Sequence, residues 1–98
     1  MYLVTFLSKR HQKDDRIYRT VAQDMIQLAK KQPGFIRIES WRNSEGFGVT
    51  LSWWKDEASI KAWRQNTEHL IAQKRGKKDW YAQYEVFITK VERHYSHP

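Results

Sequence analysis

Residues 53–69 read WWKDEASIKAWRQNTEH, and this stretch decides the fold because a strand ends and a helix begins within it. Trp53 and Trp54 are the last residues of the strand, and neighbouring residues of a strand point to opposite faces of a sheet. We therefore expect one tryptophan to face helices and the other to face away from them. Asp56 is typical of a helix N-cap, and the helix that it predicts carries Trp63 on its apolar face.

Outward from this junction, the chain alternates between period-two and helical apolar patterns. The elements follow the order β-α-β-β-α-β, and right-handed crossovers fold this order into a four-stranded antiparallel sheet with both helices on one face. The predicted fold class is therefore α+β and ferredoxin-like. The sequence predicts strands at residues 2–8, 35–43, 47–54 and 84–95, a helix from residue 16 to Pro33-Gly34, and a helix from residue 56 to Gly76.

Two details of these elements affect any site built on them. Strict alternation along the second strand places Phe35 and Ile38 on opposite faces. The apolar stripe of the second helix changes phase after Trp63, which predicts a kink, or two short helices meeting near Asn66. The kink matters for His69, six residues after Trp63. On an unbroken helix that spacing is a net rotation of about 240°, so the two side chains would not share a face.

The size and aromatic content of the chain predict a single domain with a surface that needs a partner. The 98 residues suffice for one domain, 1–98, with residues 94–98 expected to fray. They include five tryptophans, five tyrosines and four phenylalanines, more rings than a thin core can enclose. Because the first and last strands carry apolar residues on both faces, we expect two copies to pack sheet to sheet as a homodimer.

Several other classes of protein are disfavoured by composition. The chain contains no cysteine, so it has neither a disulfide framework nor a thiolate metal site, and its histidines show no metal-ligand spacing. Neither a signal peptide nor an apolar run of membrane-spanning length is present, which predicts a cytoplasmic protein without membrane association. The net charge of +7 raises nucleic-acid binding as a hypothesis. However, the dense basic cluster at residues 74–78 is typical of a helix end, and no nucleic-acid-binding motif accompanies it.

A set of short motifs follows in order along the chain: Gln32-Pro33-Gly34-Phe35, Glu39-Ser40, Ser52-Trp53-Trp54, Asp56-Glu57, Ala62-Trp63-Arg64, Glu68-His69, Gly76, Trp80-Tyr81 and Val91-Glu92-Arg93. This ordered set resembles the antibiotic biosynthesis monooxygenase (ABM) domain family over nearly the whole chain. The resemblance implies a ferredoxin-like dimer in which two sheets form a shared α+β barrel, with a pocket in each subunit between sheet and helices. Members of the family include cofactor-free monooxygenases acting on aromatic polyketides, and haem-degrading monooxygenases.

The resemblance also bears on individual residues. The polyketide oxygenases carry an asparagine four positions before the tryptophan that ends strand three; Trp54 matches this tryptophan, and Thr50 stands in place of the asparagine. The haem degraders use a strand-one asparagine, a helix-two tryptophan and a histidine ten residues later. Trp63 matches their tryptophan, but Gln73 stands ten residues on and the first strand has no asparagine. His69 could replace that histidine only if the second helix breaks. We therefore expect no cofactor, with haem as an alternative.

The leading functional hypothesis is a cofactor-free monooxygenase that acts on an aromatic or other planar small molecule. His69 is the predicted catalytic residue, as a base or hydrogen-bond donor, with a tyrosine as the alternative. Arg42 or Arg64 would hold an anionic form of the substrate. Rings give large apolar contact area at low entropic cost, so the predicted substrate-binding walls are Trp54, Trp63, Trp80 and Tyr81.

The second hypothesis is a dimer of the same fold that binds a small molecule without turning it over. Thr50 and Gln73 favour this hypothesis, because they stand where the known activities of the resembling family need other polar groups. A third hypothesis, nucleic-acid binding through residues 74–78, depends on charge alone.

Overall fold

The structure of the chain is a computed structural model that describes residues 1–10, 16–73 and 81–98. Within these ranges, the elements follow the predicted order β-α-β-β-α-β. The predicted helix end at Gly76, the basic cluster at residues 74–78 and the predicted wall residue Trp80 lie outside the described residues. The elements are β1 Tyr2–Arg10, α1 Arg16–Lys31, β2 Phe35–Arg42, β3 Phe47–Trp54, α2 Glu57–Gln73 and β4 Tyr81–Lys90.

The four strands form one antiparallel sheet in the order β2-β3-β1-β4. With α1 against β2, α2 against β3 and the two helices against each other, this arrangement confirms the ferredoxin-like prediction. The predicted bounds of the last strand are wrong at both ends, because pairing with β1 sets them. Tyr81 already pairs with Arg10, and Lys90 pairs with Tyr2, after which β1 offers no further strand residue.

Two irregularities in the ladders change which side chains share a face. The register between β2 and β3 shifts between Phe35 and Arg37, so Phe35 and Ile38 pack against the same core. The prediction that these two residues occupy opposite faces is wrong, because an extra residue in one strand reverses the alternation beyond it. A second shift, where β1 passes from Lys9 to Arg10, skips one residue of β4.

The core lies between the sheet and the helices, at the end of β3 that leads into α2. Its fully enclosed ring is Trp54, which packs in one cluster with Ala29 of α1 and Ile60 of α2. Trp53 projects from the other face, where the Arg37 guanidinium lies 3.9 Å from its ring centroid. The prediction that the two tryptophans separate to opposite faces is therefore confirmed, and Trp54 is the one that meets the helices.

The second helix is continuous from Glu57 to Gln73, so the predicted break near Asn66 is wrong. The helix contains neither proline nor glycine, the residues at which sharp kinks usually occur. Its N-terminus is capped as predicted, because the Ser59 backbone N–H donates to the Asp56 carboxylate at 2.8 Å. This hydrogen bond is the main reason that the pKa of Asp56 is lowered from its ordinary value.

Candidate functional site

The sheet has one face toward α1 and α2, here called the helix-facing side, and one face away from them, here called the outer face. Val4 belongs to the core and marks the helix-facing side of β1, and residues paired across an antiparallel ladder project to the same face. In rows across β2, β3, β1 and β4, the helix-facing side carries Ile38, Ser52, Val4 and Ile88, then Ser40, Thr50, Phe6 and Val86, then Arg42, Gly48, Ser8 and Tyr84.

Aromatic packing closes the helix-facing side near the start of α2, and we call this region the closed half. Trp54 is 0 % exposed, and its ring centroid lies 5.1 Å from that of Trp63 and 5.5 Å from that of Phe35. The Trp54 Nε1–H donates to Ser52 Oγ at 2.8 Å, and the Trp63 Nε1–H donates to the Met25 carbonyl at 3.0 Å. Both indole donors are thus satisfied within the protein, and the closed half is a packed boundary for the surface beside it.

Toward the β2–β3 hairpin the helix-facing side is accessible to solvent, and we call this region the open half. Ser40 and Arg42 are exposed, and the Tyr84 side chain is 62 % exposed. The central positions carry small residues, including Ser8 and Gly48, which leave room above the strands. The open half comprises Phe6, Ser8, Ser40, Arg42, Gly48, Thr50, Tyr81 and Tyr84.

Three rings form an aromatic cluster in the open half. The Phe6 centroid lies 5.4 Å from that of Tyr81, edge to face, and 5.7 Å from that of Tyr84, while the two tyrosine centroids are 6.0 Å apart. Residues three apart would lie on opposite faces of a regular strand. Tyr81 and Tyr84 share a face because the register shift at Arg10 adds a residue to β4 between them. The bulge therefore assembles the cluster.

Arg42 brings a positive charge to this cluster. Its Nη1 donates to the Gly46 carbonyl at 2.6 Å and its Nη2 donates to Ser8 Oγ at 2.8 Å. Its Cζ lies 6.0 Å from the Tyr81 ring centroid, within the range of a cation–π contact. The guanidinium also lies over Gly48, where an added Cβ would come within 2.6 Å of Cζ. A residue without a side chain at position 48 thus lets the guanidinium lie against the sheet.

Two hydroxyl groups lie beside Arg42 at the centre of the open half. Ser40 Oγ and Thr50 Oγ1 are 2.7 Å apart and form a hydrogen bond between β2 and β3. Thr50 is also paired directly with Phe6 of β1, the central ring of the aromatic cluster. A hydroxyl pair, a set of rings and a guanidinium therefore border one another on an accessible surface.

Four of the predicted site residues lie in two pairs on the helix-facing side. Trp54 and Trp63 pack together in the closed half, and Arg42 and Tyr81 lie together in the open half. Arg42 and Tyr81 are thus in a position to touch a ligand in the open half, whereas protein encloses Trp54. The fifth predicted wall residue, Trp80, lies outside the described part of the chain.

The other two predicted site residues lie on the exposed surface of α2. Arg64 Nε donates to the Glu68 carboxylate at 3.2 Å, one helical turn away, and both side chains are largely exposed. His69 is exposed as well, and on the continuous helix it is rotated about 240° from Trp63. The catalytic role of His69 stays a prediction.

Sequence reasoning missed three residues of the open half, and only some of them left a signal. Phe6, Thr50 and Ser40 become neighbours as soon as the two hairpin strands and β1 are placed in register, which the Asn43–Gly46 turn could have suggested. Tyr84 gave no such signal, because the alternation of β4 holds only until the bulge.

The described residues do not suit haem. An axial haem ligand has to face the porphyrin from inside the pocket. Of the described histidines, His69 lies on the exposed surface of α2, while His94 and His97 follow β4 in a segment without regular structure. In the same part of the chain, no group of three or more His, Cys, Asp or Glu side chains could hold a metal ion.

The outer face is a second surface with exposed apolar side chains. These are Leu7, Trp41, Phe47 and Phe87, and several of them line an open groove of about 610 Å³. Charges of both signs lie among them, since Arg37 pairs with Glu39 at 3.1 Å and Lys9 Nζ lies 4.7 Å from the Phe47 ring centroid. An apolar surface of this kind is typical of an interface. None of the helices in the described ranges has the length and apolar character needed to cross a membrane.

Comparisons with known proteins add family information to this geometry. The family described as antibiotic biosynthesis monooxygenase matches residues 1–75. The uncharacterized protein YqjZ of Bacillus subtilis is 40% identical over 92 residues, which cover 94% of this chain and 80% of YqjZ. Jasmonate monooxygenase ABM of Pyricularia oryzae is 26% identical over 93 residues, which cover 93% of this chain but 43% of that protein, so the chain spans less than half of it. A mutant of SnoaB, a cofactor-independent oxygenase from Streptomyces nogalater, shares the fold with a TM-score of 0.74 at 13% identity, covering 95% of this chain and 94% of SnoaB.

Proposed function

Because the chain belongs to the antibiotic biosynthesis monooxygenase family, we propose that it is a cofactor-independent monooxygenase acting on an aromatic or other planar small molecule. The observation that carries this proposal is the accessible cluster of Phe6, Tyr81 and Tyr84 beside the Arg42 guanidinium. Rings around a recess bind planar rings, and a guanidinium favours an anionic form of the ligand. The shared fold with SnoaB, a cofactor-independent oxygenase, supports chemistry without a cofactor.

Such a reaction requires a substrate that supplies its own electrons. A ring CH₂ group next to a carbonyl can lose a proton to give an enolate, and the enolate carbon is the site that dioxygen oxidises. Conversion of the CH₂ group to a carbonyl places one oxygen atom in the product, and the other leaves as water with the two hydrogens. No external electron donor enters this balance. The task of the protein is to bind and stabilise the anion, for which Arg42 supplies the charge.

Two residues are candidates for the proton acceptor in this proposal. His69 is the residue that the sequence predicts, and Tyr84 is the exposed tyrosine of the aromatic cluster. The variants His69→Ala and Tyr84→Phe separate them. The acceptor is the residue whose removal lowers kcat by about 100-fold or more while substrate affinity is kept, since general-base catalysis contributes about that much.

The test of the proposed function is oxygen uptake with anthrone, a planar tricyclic ketone with one ring CH₂ group, and no added metal or cofactor. We expect one dioxygen per anthraquinone formed, and isotope-labelled dioxygen should place one labelled atom in the product. Arg42→Met should raise KM, whereas Arg64→Met, which alters the other predicted arginine, should not. Binding of anthrone without oxygen uptake would instead favour the non-catalytic small-molecule binder.

We also propose that a second copy of the chain covers the outer face. Its exposed side chains are apolar, and the charges among them have both signs, as a self-complementary interface between identical surfaces requires. Sedimentation analysis should show a dimer, and Phe87→Glu should give a monomer because it buries a charge in that interface. The matched control is Tyr95→Glu, at an exposed aromatic residue beyond β4, which should leave the dimer intact. A monomeric wild-type protein would contradict the proposal.

A further inference from the structure

The hydrogen bond between Ser40 and Thr50 leaves part of the hydroxyl chemistry unused. Each hydroxyl offers one donor and two acceptor positions, so the bond at 2.7 Å uses only one of the two hydroxyl hydrogens. The second hydrogen is free to point toward a ligand, because a hydroxyl rotates about its C–O bond. A cross-strand hydroxyl pair stabilises a sheet by only about 0.2–1 kcal/mol, and apolar β-branched residues suit such positions at least as well. Sheet stability alone therefore does not account for the pair.

The position of the pair brings three kinds of group to one place. Thr50 is opposite Phe6, whose ring packs against Tyr81 and Tyr84, so an aromatic wall borders the pair on one side. Arg42 is two residues from Ser40 on the same face of β2, a distance of about 7 Å along the strand. A ring oxygen placed at the hydroxyls would therefore lie near the guanidinium, with its ring against the aromatic cluster.

The charges around this place favour an anion. Glu39 and Glu85, the acidic neighbours in sequence of Ser40 and Tyr84, alternate onto the outer face with residues such as Leu7. A ligand without an oxygen would cover the hydroxyl pair and the guanidinium without replacing their hydrogen bonds to water, which disfavours its binding. The surface thus discriminates by the oxygen of a ring and not by the ring alone.

We infer that the Ser40–Thr50 pair is the oxygen-binding element of the open half, and that it selects planar ligands whose ring oxygen is ionised, as in a phenolate or an enolate. The pair donates one hydrogen bond to that oxygen, while Arg42 compensates its charge. This inference rests on the proposed function for the location of the site, and it adds the substrate class. Ser40 and Thr50 are specificity-determining residues that no feature of the sequence had marked as functional.

The experiment measures binding separately from turnover. Its two probes are 2-hydroxy-1,4-naphthoquinone, which is an anion at neutral pH, and 2-methoxy-1,4-naphthoquinone, which has the same ring and cannot ionise. Quenching of tryptophan fluorescence or calorimetry gives both dissociation constants. We expect wild-type protein to prefer the hydroxy compound by about tenfold or more, since a hydrogen bond to a charged group contributes about 1.5–3 kcal/mol.

Three variants assign this preference to the hydroxyl pair. Thr50→Val keeps the shape of the side chain and removes its hydroxyl, and Ser40→Ala removes the partner; each should lower the preference several-fold by weakening the hydroxy compound alone. Thr89→Val is the matched control, because Thr89 is an exposed threonine of β4 that alternates onto the outer face. It should leave both constants unchanged. Circular dichroism of each variant confirms that the fold is retained.

The outcomes separate this inference from the proposed function. An unchanged preference in both Thr50→Val and Ser40→Ala would overturn the inference, and so would an equal loss of affinity for both probes, which indicates a packing role. A preference that depends on the pair, in a protein that consumes no dioxygen with anthrone, would uphold the inference and reject the oxygenase. Oxygen uptake by a protein that shows no preference would do the reverse.

Discussion

The substitution Gly48→Ala should test whether the sheet seats the Arg42 guanidinium. An ideal Cβ at position 48 would lie 2.6 Å from Cζ of Arg42, 2.8 Å from Nη2 and 2.9 Å from Nη1. Non-bonded carbon atoms in contact lie about 3.5–4.0 Å apart, so the guanidinium has to move by about 1 Å. The hydrogen bonds from Nη1 to the Gly46 carbonyl at 2.6 Å and from Nη2 to Ser8 Oγ at 2.8 Å would then be lost.

The magnitude follows from two opposing terms. Each lost hydrogen bond costs about 0.5–1.5 kcal/mol, and partial exposure places the sum at about 1–2 kcal/mol. Alanine within a strand is more favourable than glycine by about 0.5–1 kcal/mol, which offsets part of the loss. The free energy of unfolding of Gly48→Ala should therefore fall by about 0–1.5 kcal/mol, while the affinity for 2-hydroxy-1,4-naphthoquinone falls with the displaced charge.

A double-mutant cycle isolates the cause. In an Arg42→Ala background, Gly48→Ala has nothing to displace and should stabilise the protein by about 0.5–1 kcal/mol. The coupling between the two substitutions should thus be about 1–2 kcal/mol, measured by urea denaturation at one fixed protein concentration. A coupling below about 0.5 kcal/mol, the usual range for independent sites, would refute the seating of Arg42 on Gly48.

Three further substitutions test the fold around the site. Trp54→Ala should lower the free energy of unfolding by about 3–5 kcal/mol in urea, since the ring is fully enclosed; a loss below about 1 kcal/mol would contradict its place in the core. Gly34→Ala should destabilise more than Gly48→Ala, because Gly34 has φ +86° and its added Cβ would collide with Ser59 Oγ; equal stabilities would argue against this turn geometry. For Asp56 the folded-state pKa is lowered, so its stabilising contribution is present above the ordinary pKa and is lost as the pH falls through the folded value. The stability difference between wild type and Asp56→Asn should therefore shrink as the pH is lowered from about 5 to about 2, and a constant difference would exclude the charged cap.

The features of the fold that the sequence predicts are those encoded by local patterns. The Asn43–Gly46 turn joins two runs of β-forming residues, and the change from period two to a helical period at Asp56 marks the start of α2. The separation of Trp53 from Trp54 follows from the geometry of any strand. Each of these patterns involves residues close in sequence, and pairing with distant strands does not alter them.

The features that the sequence does not predict depend on pairing between distant residues. Phe35 and Ile38 share a face only because β2 shifts register against β3, and Tyr81 and Tyr84 share a face only because β4 shifts against β1. Alternation extrapolated along one strand fails at such a bulge, and every later side chain is assigned to the wrong face. The aromatic cluster was therefore hidden, although both tyrosines were in view.

The open half also explains why this sheet is less apolar at its centre than its core requires. At positions 8, 40, 48 and 50 the helix-facing side carries Ser, Ser, Gly and Thr, where a sheet packed under helices would normally carry valine, leucine or isoleucine. Each of those larger side chains, if buried, would add about 1.5–3 kcal/mol of stability. The closed half shows that the chain can pack such a surface, since Trp54, Phe35 and Trp63 fill the neighbouring region. A small protein that leaves this stability unrealised in one place, and surrounds that place with rings and a guanidinium, has the surface expected of a site whose missing apolar volume is supplied by a bound ligand.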